Sequence, residues 1–124
     1  MSRLIKFRGK HEGKYDTKVI YGFGIKENPY GMTFILSREE NIWYEVNPDT
    51  IEQSTGVDDK NGIEIFEGDI IEITRTCVLE YGKVIFQNGC FFIKVKETLL
   101  PLYKCKINNF KIKIVKGEKY VNSW

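Results

Sequence analysis

The 124-residue chain predicts a mostly β fold, and three observations carry that prediction. It contains 16 Ile, 8 Phe, 7 Tyr and 2 Trp but no Ala. β-Branched and aromatic side chains suit a pleated, half-buried surface, whereas Ala is the strongest helix former. Apolar and polar residues alternate with period two along much of the chain, as on a strand with one buried face. Turn signals break the chain every 6–12 residues, the rhythm of a small barrel or sandwich. An AT-rich coding sequence would also enrich Ile, Lys, Asn and Tyr, so the periodicity carries more weight than the composition. The length fits one compact domain or two very small ones.

The strands follow in order. Leu4, Lys6 and Arg8 alternate with Ile5 and Phe7, and residues 18–25 form a second run that contains Gly22 and Gly24. Residues 32–36 are a short buried-type run, and residues 41–46 follow before the turn Asn47-Pro48-Asp49. Residues 69–74 alternate after Gly68. Residues 83–86 and 90–95 flank Gln87-Asn88-Gly89, and Asn-Gly between two apolar runs is a strong hairpin signal. Near the end, Phe110, Ile112 and Ile114 alternate with Lys111 and Lys113. Two places alone have room for helix, and alternation resumes at Trp43-Tyr44 soon after the first. Ser37-Arg38-Glu39-Glu40 has capping-box spacing, and residues 97–103 have room for one turn, limited by Pro101.

The net charge of +2 is too mild to imply a nucleic-acid or membrane partner by itself. Its distribution is uneven. Residues 1–36 carry 7 basic and 3 acidic side chains, residues 37–80 carry 3 and 12, and residues 81–124 carry 9 and 2. Lysines that alternate with apolar residues fit a solvated strand face, and basic ends around an acidic middle could also steer a charged partner. The three cysteines, Cys77, Cys90 and Cys105, form no Cys-x-x-Cys pair, and His11 is the sole histidine. That set excludes a structural zinc site and offers no cofactor motif, so the cysteines read as reduced core residues. No signal peptide or membrane span is evident, and a cytoplasmic protein is expected.

The central segment is the most distinctive. It runs Val46-Asn47-Pro48-Asp49-Thr50-Ile51-Glu52-Gln53-Ser54-Thr55-Gly56-Val57, then Asp58-Asp59-Lys60-Asn61-Gly62, then Ile63-Glu64-Ile65-Phe66-Glu67-Gly68-Asp69-Ile70. It resembles the YopX family of phage and prophage proteins, as do Ile5-Lys6-Phe7-Arg8, Tyr21-Gly22, Gly82-Lys83-Val84 and Asn88-Gly89-Cys90-Phe91. Ser54 stands where that family usually has Tyr, Asn47 where it has Asp, and lysines replace a Gly-Asn pair near the C-terminal end. The resemblance implies a mostly β protein in the cytoplasm of a bacterial host. The part after Glu67-Gly68-Asp69 resembles a small antiparallel barrel of the SH3 type. The expected division is an N-terminal β-rich portion, residues 1–62, packed on a barrel portion, residues 63–124. The family carries no established enzymatic activity.

The motif residues read as turn chemistry. Gln53, Thr55, Gly56, Asp59, Lys60, Asn61 and Gly62 keep neither calcium-loop nor P-loop spacing. Asn61-Gly62 supplies the positive-φ positions of a tight turn, Asp58 or Asp59 accepts backbone N–H groups within it, and Thr55-Gly56 reads as a strand terminus. Glu67, Gly68 and Asp69 read as a β-turn entering a strand rather than a catalytic carboxylate pair. A Ser-His-Asp set would have to use His11, and nothing in the sequence supports that. No catalytic or metal-ligating constellation is found, so a non-enzymatic protein is expected, acting by binding a host or phage protein. The rival reading is DNA or RNA binding through lysines and exposed aromatics of a small barrel, with Lys104, Lys106, Lys111, Lys113 and Lys116 as candidate contacts. Against that rival, most of the aromatics are expected to fill the core. Homo-oligomerisation through leftover strand edges is compatible with a short β chain.

Overall fold

The computed structural model describes residues 5–75, 77–107 and 111–115, with the side chains of residues 75, 106 and 107 outside that description. The chain divides into two compact units, Met1–Ser54 and Thr55–Trp124.

The first unit contains β1 (Phe7–Glu12), β2 (Thr17–Glu27), β3 (Thr33–Ser37) and β4 (Trp43–Val46). These lie antiparallel in the order β4-β3-β2-β1, and Glu52 and Gln53 at the start of β5 (Glu52–Asp58) pair with β1. A 3₁₀ turn at Pro48–Thr50 precedes β5, with the Asn47 side chain accepting from the Asp49 N–H at 3.0 Å. Ile20, Ile35 and Val46 form the buried core, flanked by Phe7, Tyr44 and Ile51. The β2–β3 register shifts between Gly22 and Gly24, a bulge at Phe23. A Cβ at Gly22 would collide with the Leu36 carbonyl oxygen, so β3 can approach only a glycine there. Ser37-Arg38-Glu39-Glu40 makes a turn instead of a helix. The Asn41 N–H donates to the Ser37 carbonyl at 2.8 Å, and Asn41 adopts φ 58°, which turns the chain toward β4.

In the second unit the rest of β5 pairs with β6 (Glu64–Phe66). Next comes a meander of β7 (Ile70–Arg75), β8 (Val78–Gln87), β9 (Cys90–Val95) and β10 (Thr98–Pro101). A short helix, α1 (Leu102–Ile107), leads on to β11 (Lys111–Val115), which returns to pair with β7. The strand order is β10-β9-β8-β7-β11. Asn88 and Gly89, at φ 52° and 80°, make the two-residue turn between β8 and β9, as the Asn-Gly signal predicts. The core holds Ile65, Ile71, Ile73, Val84, Ile93, Val95, Leu102, Cys105 and Ile112. A Cβ at Gly82 would sit 2.5 Å from Ile93 Cγ2 and 2.8 Å from the Lys94 carbonyl oxygen.

Several expectations need correction. The described strands form two antiparallel sheets and close no barrel, since β10 and β11 stand at opposite ends of the five-stranded sheet. β10 has four residues and ends at Pro101, which has no N–H to offer a further strand. Residues 98–101 are therefore strand, and the helical turn for which 97–103 has room starts only after the proline. Thr55-Gly56 lies inside β5 rather than at a strand end. Of the cysteines only Cys105 is buried, while Cys77 and Cys90 are exposed. Among the described residues Phe66 is the one buried aromatic; Phe7 and Tyr44 pack half-buried against the first core and Phe91 against the second, and branched aliphatics fill most of both.

Candidate functional site

The motif residues hold backbone together. Asp59 is buried, with 4% of its surface exposed. Its Oδ1 accepts the N–H groups of Asn61 and Ile63 at 2.8 and 2.9 Å, and its Oδ2 accepts that of Ile114 at 3.1 Å. The Lys60 N–H donates to the Ile112 carbonyl at 2.8 Å, so this turn stitches β11 to the β5–β6 hairpin. Gly62 adopts φ 77°, whereas Asn61 stays at negative φ, so one residue of the pair supplies the unusual conformation instead of two. The buried Thr55 hydroxyl donates to the Ile65 carbonyl at 2.8 Å and accepts the Val57 N–H at 3.1 Å, beside Gly56 at φ 76°. Gln53 pairs with Phe7 in the first unit.

Glu67, Gly68 and Asp69 form the expected turn. Gly68 sits at φ 90°, and its N–H donates to the Val84 carbonyl at 2.8 Å. The Asp69 carboxylate accepts the Phe66 N–H at 2.8 Å. His11 Nδ1 donates to the Glu45 carbonyl at 2.7 Å and rests edge-on to Tyr44. Among the described residues no cluster of three His, Cys, Asp or Glu could hold a metal ion.

The candidate lysines take different places. Lys104 is exposed on α1, while the Lys106 side chain and all of Lys116 lie outside the described residues. Lys111 and Lys113 are exposed on β11, opposite Thr74 and Glu72 of β7. The register extends this pair into a surface. Ile71, Ile73, Val84, Ile93 and Ile112 point into the core, so strand alternation turns the residues between them to the other side. That outer face carries Lys83 and Lys94 as well as Lys111 and Lys113, against one acidic residue, Glu72. Half-buried Tyr81, Ile85 and Phe92 lie among them. Lys83 and Lys94 face each other across β8 and β9, and none of the four lysines is held in an ion pair with another described residue. Like charges directly opposite on a ladder are destabilising. Sequence reasoning missed Lys83 and Lys94, although the signal was there. A two-residue turn at Asn88-Gly89 pairs residues equidistant from it, which sets Lys83 opposite Lys94.

The first unit carries its own polar cluster. Lys18 Nζ and the Tyr44 hydroxyl both donate to Glu40, each at 2.7 Å. The hydrogen bond from Lys18 holds Glu40 below the usual carboxylate range, and the same bond raises Lys18. Arg8 Nε donates to Glu52 at 2.8 Å beside a concavity of about 260 Å³ that Lys10, Tyr21 and Thr50 also line.

These features define a two-unit, all-β protein of antiparallel sheets with a lysine- and aromatic-bearing sheet face. A family model described as YopX protein matches residues 6–123, and the chain belongs to the YopX family. Neither the curated proteins nor the solved structures contain a match to it. No helix among the described residues is long and apolar enough to cross a membrane.

Proposed function

We propose that this YopX-family chain is a phage or prophage accessory protein that works by binding rather than by catalysis, and that the outer face of its five-stranded sheet takes an anionic partner. The Lys83–Lys94 pair carries this reading. Two exposed cations set opposite each other cost stability in the isolated protein, and a bound anion converts that cost into attraction. Lys111 and Lys113 extend the positive field, with Glu72 the one described acidic residue opposing it on that face. Asp59 and Asp69 are engaged with backbone N–H groups, which supports structural rather than catalytic roles for them. The connectivity of the second unit, a four-stranded meander, a short helix and a fifth strand beside the first, supports an SH3-type reading of that unit.

A host or phage protein is the partner the sequence alone ranks first. It keeps some support from Ile42 and Trp43, which are 50% and 38% exposed in the first unit. The face described above favours a polyanion. Titration with heparin at two salt concentrations tests the proposal. Binding should weaken steeply with salt, as release of counterions requires, and the Lys83→Glu/Lys94→Glu double variant should abolish it. Absence of salt-sensitive binding by the folded wild-type chain overturns the proposal.

A further inference from the structure

We infer that the polyanion is a single-stranded nucleic acid, bound with its phosphates on the lysines and a base stacked on Phe92. This rests on the polyanion reading and adds its chemical class. Lysines alone would serve any phosphate chain, heparin or a duplex included, because the charge term carries no information about bases. The aromatics distinguish the ligands. Branched aliphatics, Cys105 and Phe66 fill the cores, whereas Tyr81 and Phe92 stand half-buried on the outer face, which leaves part of each side chain at the surface.

The register sets their spacing. Phe92 lies two residues from Lys94 on β9, and Tyr81 lies two residues from Lys83 on β8. Both pairs share the outer face, with the two lysines side by side between the aromatics. Pleat and strand spacings separate the Cα atoms of Tyr81 and Phe92 by about 14 Å. That span suits a few unstacked nucleotides whose backbone crosses the lysine pair. Ile85, opposite Phe92 on β8, adds an apolar neighbour on the same face. Base–aromatic stacking requires exposed base faces, which a duplex hides and a single strand offers.

The test uses the full chain, a labelled oligo(dT), a duplex of equal phosphate count and heparin, read by fluorescence anisotropy. The single strand should bind at least about tenfold more tightly than the duplex, and Phe92→Leu should remove about that factor for oligo(dT) alone. Circular dichroism melting establishes that the variant is folded. A Phe92→Trp variant gives a second readout, since a base stacked on its ring should quench its emission relative to wild type. Equal affinity for single strand and duplex, or full oligo(dT) affinity in folded Phe92→Leu, overturns the single-strand assignment and leaves a general polyanion surface. No quenching of Phe92→Trp by bound oligo(dT) overturns it as well. Failure to bind heparin, duplex and oligo(dT) alike removes the polyanion reading itself, and the inference with it.

Discussion

The two units draw on the same β-forming residues but hold themselves together by different means. Among the described residues, the core of the second unit buries nine side chains, eight of them Ile, Val or Leu together with Cys105, whereas that of the first buries Ile20, Ile35 and Val46. The first unit adds contacts at its surface. Lys26 Nζ lies 4.3 Å from the centre of the Trp43 ring, Lys18 Nζ lies 4.9 Å from that of Tyr44, and Arg38 lies 5.4 Å from that of Tyr21. Each exposed cation–π contact contributes about 0.5–1 kcal/mol, against about 1.5–3 kcal/mol for burying a large aliphatic side chain. A sheet with a deep aliphatic core can leave its other face to lysines that repel one another. A sheet with a shallow core uses its charges to hold itself together. The candidate binding surface therefore lies on the unit better able to tolerate it.

The largest expected effect comes from the buried carboxylate of the second unit. Asp59→Ala leaves the N–H groups of Asn61, Ile63 and Ile114 without their acceptor. At about 1–3 kcal/mol for each buried unsatisfied group, a loss of about 4 kcal/mol is expected. Chemical denaturation of the variant measures it. A loss under about 1 kcal/mol would mean that water replaces the carboxylate readily, and that the second unit is less dependent on its interior than the comparison states.

Two matched glycines sharpen the contrast. Gly22→Ala places a methyl group against the Leu36 carbonyl in the first unit, and Gly82→Ala places one against Ile93 and the Lys94 carbonyl in the second. Each should cost about 2–3 kcal/mol through overpacking. Hydrogen exchange separates them, with protection expected to fall in β1–β4 for the first variant and in β7–β9 for the second. Loss of protection across both units in either variant would show that they unfold together, which breaks the comparison. Gly62→Val follows at about 2 kcal/mol. The space around Gly62 is open, so the expected cost is that of holding a β-branched residue at φ 77°. An unchanged melting temperature would show that the turn adopts another conformation.

Strand periodicity made most of this legible in advance. The runs at residues 18–25, 69–74 and 90–95 become β2, β7 and β9, and Asn88-Gly89 is the hairpin turn. β5 escaped notice because Gln53, Ser54 and Thr55 are polar and yet turn toward protein, with Ser54 and Thr55 buried and hydrogen-bonded. Binary patterning has no signal for that arrangement. Asp59 was legible as a turn residue, but its reach to Ile114, 55 residues away, depends on where β11 returns, which is a tertiary fact. The surface was half legible. Lysines 111 and 113 stood out as a local cluster, whereas Lys83 and Lys94 meet only when the hairpin is folded.

The smallest expected effect tests the other side of the comparison, the surface ties of the first unit. Glu40 accepts from Lys18 and Tyr44, and its folded pKa lies below its ordinary 4.5. A carboxylate with a lowered folded pKa contributes stability that is fully present above the unfolded value and lost as pH falls through the folded one. The tie should therefore weaken only below pH 4.5. Lys18, raised above 10.5, gives the mirror case, with its contribution lost as pH rises through the raised value. Both side chains are exposed, so solvent and salt screen the tie and the change is small. Denaturation followed by the fluorescence of Trp43, in β4, should show a shallow acid decline that Glu40→Gln flattens and added salt diminishes. An acid decline of the same depth in Glu40→Gln would place the pH sensitivity elsewhere, and the first unit would then owe less to its surface charges than to its three-residue core.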